Sequence, residues 1–185
     1  MRIISGKYGG NRLKGPKGDK IRPTSDRVKE AIYSFLSTRF DFNAISVLDL
    51  FSGSGSLGIE SLSRGAASLT LVEKSREGIR IIKQNLDKLN QNYNLFQGDV
   101  FRFIEHATQQ NNSFNLILCD PPYDFHFHDK LLHKIANSLL LKPDGWLVYE
   151  HSSRLSLFPI DQLLIISQKK MGDTAVTFLK REKLN

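Results

Sequence analysis

Residues 114-FNLILCDPPYDF-125 join an apolar run to one carboxylate, two prolines and an aromatic ring. Neither Pro121 nor Pro122 can donate a backbone hydrogen bond, and each turns its predecessor away from helix. A buried strand ending this way stops in a stiff, extended turn whose carbonyl acceptors face outward. The Asp120 carboxylate and the Pro121 carbonyl can each accept one hydrogen of an amine, and Tyr123 offers a ring for stacking. An exocyclic amine on a nucleobase is a poor nucleophile because its lone pair is delocalised. Two fixed acceptors would turn that lone pair toward an electrophile and stabilise the positive charge that builds on nitrogen. The same prolines could also be mere strand-end punctuation, so the rest of the chain has to decide.

A second constellation lies in 47-VLDLFSGSGSLGIE-60, where Gly53, Gly55 and Gly58 fit G-x-G-x-x-G between a strand and a helix. Glu73 ends the next strand, 20 residues beyond Gly53. This is the setting of a dinucleotide fingerprint, with pyrophosphate at the helix N-terminus. Asp49, at the mouth of the first strand, opposes that reading, since two like charges in a partly desolvated cleft repel by on the order of a few kcal/mol. A ligand with a cationic end gains from Asp49 instead. S-adenosylmethionine has such an end, an ammonium beside a sulfonium. Its ribose hydroxyls suit Glu73, and its adenine amino group suits Asp99, with Val100 against the ring. Each acid also suits a capping role. Three acids or glycine turns at the ends of three successive strands favour a ligand.

The elements that position these groups follow from apolar periodicity. Strand-like runs at 45–50, 69–73, 93–97, 114–119 and 145–150 alternate with helical stretches near 56–64, 75–90, 100–109 and 127–140. That alternation marks βα units around a mainly parallel sheet. Leu163–Ser167 and Ala175–Leu179 are too close for an intervening helix, which predicts an antiparallel pair at a sheet edge. A further helix starts at Thr24 or Ser25, either a suitable N-cap, and Val28, Ala31, Ile32, Phe35 and Leu36 form its apolar face. Residues 1–23 predict a small hairpin around Gly9-Gly10, separate from a domain over 24–185.

The chain has 185 residues and a net charge of +7, and residues 1–30 hold nine Lys/Arg against three acids. The body is therefore nearly neutral and the leader basic, the footprint of a polyanion partner or of a solvated tail. No apolar run approaches the roughly 20 residues of a membrane span, and the N-terminus lacks a secretory signal pattern. The single cysteine, Cys119, suits a reducing cytoplasm and reads as a small core residue. His126 and His128 are flanked by acids, but a structural metal site wants four well-spaced ligands, so no metal is expected. His106, His133 and His151 read as structural, and 124–129 as an exposed loop or lid edge.

Segments 22-RPTSDRVKEAIYSFL-36, 48-LDLFSGSGSLGIESLSRGA-66, 72-VEK-74, 98-GD-99 and 114-FNLILCDPPY-123 resemble the RsmD-type methyltransferases, which modify guanine N2 in 16S ribosomal RNA. The likeness runs through almost the whole chain in order. Ser52 stands where that family commonly has alanine, a change without evident consequence in the sequence. The resemblance implies a Rossmann-like class I methyltransferase fold, an α/β seven-stranded sheet with an antiparallel C-terminal edge and a small N-terminal hairpin plus helix. It implies S-adenosylmethionine as donor and 16S rRNA as partner, within an assembling small subunit. Residues and resemblance together assign donor binding to Asp49, Phe51, Gly53, Ser54, Gly55, Gly58, Glu73, Lys74, Asp99 and Val100. They assign the transfer to Asp120, Pro121, Pro122 and Tyr123. RNA contacts fall to Arg2, Lys7, Arg12, Lys14, Arg22, Thr24 and Arg27. A monomer is expected, without membrane contact. The competing readings are an adenine-N6 DNA methyltransferase, a nicotinamide-dependent oxidoreductase and a catalytically idle RNA-binding module.

Overall fold

A computed structural model describes residues 1–16, 25–157 and 159–182; the expected contacts at Arg22 and Thr24 lie outside the described residues. Helices α1 (Asp26–Ser37), α2 (Ser56–Ser63), α3 (Arg76–Asp87), α4 (Val100–Gln109) and α5 (His128–Ala136) flank one sheet. Its strands are β1 (Ser46–Leu50), β2 (Ser68–Glu73), β3 (Asn94–Gln97), β4 (Phe114–Cys119), β5 (Leu141–Ser152), β6 (Leu163–Met171) and β7 (Thr174–Arg181). The order is β3-β2-β1-β4-β5-β7-β6. The pairs from β3 through β5 are parallel, whereas β7 runs antiparallel to both β5 and β6. The order reverses between β1 and β4, and ligands bind such sheets at the carboxyl ends beside that switch point.

Alternate residues of each buried strand feed two cores. Val47, Leu69, Leu116 and Val148 pack with α1, α2 and α3 on one face. Leu48, Val72, Ile117 and Tyr149 pack with α4 and α5 on the other. The α1 helix is capped by Ser25, whose hydroxyl accepts from the Val28 amide. Its apolar face includes Tyr33, which the simple spacing missed, while Ala31 is only partly covered. The α5 helix stops at Ala136, short of the expected 140. The strand expected at 145–150 begins at Leu141, because Lys142-Pro143-Asp144-Gly145 continues it through a register shift opposite Phe114 and Leu116. The last hairpin is longer than its apolar core suggested. It turns on Gly172-Asp173, with Gly172 at φ 67°.

The basic leader is bonded to the body. It folds back on itself through an antiparallel bridge between Arg2 and Arg12, and Ile3 and Leu13 enter the core beside α1 and α2. Glu60, fully buried on α2, accepts the amides of Ile4 (2.7 Å) and Ser5 (3.1 Å) and the Arg64 Nε (2.9 Å). Lys29, one of the nine Lys/Arg of residues 1–30, is also buried and donates to the Arg2 carbonyl. Stripping one partner from a buried ionic cluster typically costs about 3–5 kcal/mol. Glu60→Ala should therefore lower the thermal midpoint by on the order of 10 °C and open the leader to limited proteolysis. An unchanged midpoint would mean that Glu60 does not fasten it.

Candidate active site

One cavity of about 1270 Å³ opens at the carboxyl ends of the parallel strands. Asp49, Phe51, Gly53, Ser54, Glu73, Lys74, Asp99 and Val100 line it, as do Asp120, Pro121, Pro122 and Tyr123. The expected donor and transfer residues thus share one space, apart from Gly55 and Gly58, which shape the turn beneath. In the sheet, Asp49 pairs with Leu118 across β1 and β4. Asp120 therefore stands two residues further along the neighbouring strand, roughly 7 Å on at a strand's rise.

The glycine turn is built around carboxylates. Asp49 Oδ2 accepts the Gly58 amide at 2.9 Å, and a Cβ on Gly58 would come within 3.0 Å of that oxygen and 2.6 Å of Leu69 Cδ1. Only glycine lets α2 approach β1 so closely. Glu73 accepts the Gly53 amide (2.8 Å) through one oxygen and the Ser75 amide (2.7 Å) through the other. Asp99 caps α4 by accepting the Phe101 amide at 2.9 Å. Asp99 thus fills the capping role that its position suggested, whereas α3 is capped by Ser75 and Glu73 braces the turn before it. Each ionised carboxylate offers about four acceptor sites, so capping leaves capacity toward the cavity. Ser52, read from sequence as inconsequential, donates to the Asp49 carbonyl (2.6 Å) and accepts the Val72 amide (3.0 Å), which ties the mouths of β1 and β2 together. Phe51 takes a left-handed φ of 57°. Such strain costs of order 1–3 kcal/mol and collects at functional sites.

The electrostatics favour a cation. Burial pushes the Asp49 carboxyl up to about 7, and the charges of Asp120 and Glu73 add to the rise against the Gly58 amide. A pyrophosphate would meet this concentration of acids unfavourably, whereas an ammonium or sulfonium relieves it. Burial also pushes the Cys119 thiol well up, in keeping with a core role.

The segment 124–129 is largely exposed, as expected, but Phe125 and His128 turn partly inward. Phe125 packs against Phe51 (centroids 5.2 Å) and Phe101 (6.5 Å), forming an aromatic wall beside Asp99 and Val100. Tyr123 remains 82% exposed at the rim, where it can stack. His128 Nδ1 lies 2.5 Å from the Tyr149 hydroxyl. His151 bridges the Ser152 carbonyl and the Thr177 hydroxyl, both at 2.8 Å. Burial lowers the pKa of both imidazoles, so they are neutral at physiological pH. Both line the cavity, as does Glu150 at the end of β5. Glu150 was missed by sequence although its signal was present, an acid closing another parallel strand. No group of three His, Cys, Asp or Glu suited to a metal occurs among the described residues, and no helix among them is long and apolar enough to cross a membrane.

A doubly wound sheet with acidic strand ends, a glycine turn and a proline-stiffened acceptor pair defines a class I S-adenosylmethionine-dependent methyltransferase. Residues 1–180 match the family described as Conserved hypothetical protein 95, and the chain belongs to that family, the RsmD-type methyltransferases. YlbH of Bacillus subtilis (strain 168) is 35% identical over 184 residues, covering 98% of this chain and 99% of its own. Ribosomal RNA small subunit methyltransferase D of Escherichia coli (strain K12) is 35% identical over 151 residues, covering 81% of this chain and 71% of its own. The solved structure of yhhF from Escherichia coli superposes with a TM-score of 0.85 at 28% identity, covering 98% of both chains.

Proposed function

We propose that the protein methylates the exocyclic N2 of one guanine in 16S rRNA, acting as a cytoplasmic monomer on a partly assembled small subunit. The observation that carries this reading is the shared cavity. Asp49 and Asp120, on adjacent strands at the switch point, face one space large enough for a nucleoside donor and a base.

The residues present fit the donor. Asp49 answers its cationic end, Glu73 its ribose hydroxyls and Asp99 its adenine amino group, with Val100 and the Phe125 wall against the ring. When bound, S-adenosylmethionine supplies a methyl carbon activated by the positive sulfur. Asp120 and the Pro121 carbonyl each hold one N2 hydrogen, so the amine presents its lone pair to that carbon. The new C–N bond forms as the C–S bond breaks and its electron pair stays on sulfur. The methylated nitrogen then loses one proton, and Asp120 is the nearest assigned acceptor. Tyr123 stacks on the base, a contact worth roughly 1–3 kcal/mol, once the base has left any helical stack.

The leader supplies the charge for rRNA. Arg2, Lys7, Arg12 and Lys14 are exposed on one folded segment, and Arg27 lines the cavity. They position phosphates without reading sequence. Arg2 also approaches Asp26 at 3.5 Å, and Lys14 donates to Gln84 at 3.1 Å, so both are oriented before RNA arrives. Nucleoside analysis of small-subunit rRNA from a strain lacking this gene tests the reading. One N2-methylguanosine should disappear and return when the gene is restored. Intact N2-methylguanosine, together with methyl transfer by the pure protein into adenine N6 of DNA, would replace it with the alternative activity.

A further inference from the structure

The cavity extends beyond the groups given to the donor. Its far wall is the end of β5 and the β6–β7 turn, including Glu150, Ser152, Asp173 and Thr174. Glu150 stands beside the transfer residues. Cys119 pairs with Tyr149 in parallel register, so Asp120 and Glu150 are the next residues along adjacent strands, with backbones on the order of 5 Å apart. Leu118 and Val148 face α1–α3, whereas Cys119 and Tyr149 face α4 and α5. Alternation therefore turns Asp120 and Glu150 to the α1–α3 side together, the side of Asp49.

Two neighbouring carboxylates at the amine's end of the cavity match one base edge in particular. Guanine carries adjacent donors, N1–H and the N2 amine. Adenine carries an amine beside an N1 lone pair, which would face a carboxylate acceptor to acceptor. Resting on the guanine-N2 reading above, we infer that Glu150 accepts the N1–H of the target guanine and is the residue that selects guanine over adenine. Sites built to hydrogen-bond a polar group reject analogues that leave it unpaired by about 10⁴–10⁵ at best. One such contact in an open cavity should give a smaller factor.

The probe is 2-aminopurine placed at the mapped target position of the rRNA substrate. It keeps the 2-amine and replaces N1–H with a lone pair. The wild-type protein should prefer guanine by about 10²–10³ in kcat/KM. Glu150→Gln, whose amide can accept or donate, should shrink that preference at least about tenfold by raising turnover of 2-aminopurine. Glu150→Ala should lose guanine activity without that gain. Wild-type protein that methylates both bases within threefold overturns the inference, whatever the variants do. So does a Gln variant that binds S-adenosylhomocysteine normally and keeps the wild-type preference. Wild-type protein that leaves guanine N2 untouched overturns the guanine reading itself, which separates the two failures.

Discussion

Replacing Asp120 with alanine should lower kcat for methyl transfer about 10²–10³-fold, the effect of removing one preorganised charge-stabilising group, and leave S-adenosylhomocysteine binding largely intact at pH 8. Positive charge grows on the attacking nitrogen, and the Asp120 carboxylate is the one ionised group assigned to that atom. KM for rRNA should change little, since phosphate contacts and Tyr123 remain. A second signature separates a charge role from a shape role. The Asp120 charge helps raise the Asp49 pKa, so its removal should strengthen donor binding below pH 7. Single-turnover transfer at wild-type rate in Asp120→Ala would remove it from the chemistry.

Donor affinity should fall as pH drops through 7, approaching tenfold per pH unit at the acid end. The free protein holds Asp49 near pH 7, with burial as the main cause. A bound ammonium stabilises the ionised form, so below that pH the ligand must displace a proton. Titration calorimetry with S-adenosylhomocysteine at pH 6, in two buffers of different ionisation heat, should report release of close to one proton. Other acids and imidazoles on the cavity wall are Glu73, Glu77, Asp99, Asp120, Glu150, Asp173, His128 and His151, with Arg27, Lys74 and Lys130 as its cations. Burial lowers the pKa of both imidazoles, which moves their titration toward the acid side of this window. Asp49→Asn should bind weakly and without the slope, and an unaltered slope in that variant would assign the proton elsewhere. The sign for folding is opposite. An acid whose pKa is raised on folding makes the folded protein bind more protons, so its contribution to stability declines from about pH 4 to 7. The ligand-free protein should lose stability over that range, and bound donor should offset the loss.

The parts of the site that lie at strand ends were legible in the chain, because a βα alternation places every such end on one rim. Asp49, Glu73, Asp99 and Asp120 were found in this way. Glu150 obeys the same rule but was passed over, because the run 145–150 carries no glycine turn or proline pair after it to mark its end as part of a site. Contacts between distant segments had no local signal. The His128–Tyr149 bond joins the first turn of α5 to a strand 21 residues on. Glu60 and Lys29 are charged letters that any composition count assigns to solvent, yet they are buried through partners 56 and 27 residues away. Ser52 shows the same limit at close range, because its role depends on β2 lying alongside.

Every residue of α2 is buried, and the leader forms its roof. The helix is capped by Gly55, inside the turn assigned to the donor. A truncated chain beginning after residue 16 would thus leave the buried Glu60 and Ser63 without their leader partners and unseat the donor loop in one cut. Weakened rRNA affinity in such a fragment would report collapse of the catalytic body. Charge reversal at Lys7 or Arg12 is the cleaner way to ask what the leader contributes to substrate capture.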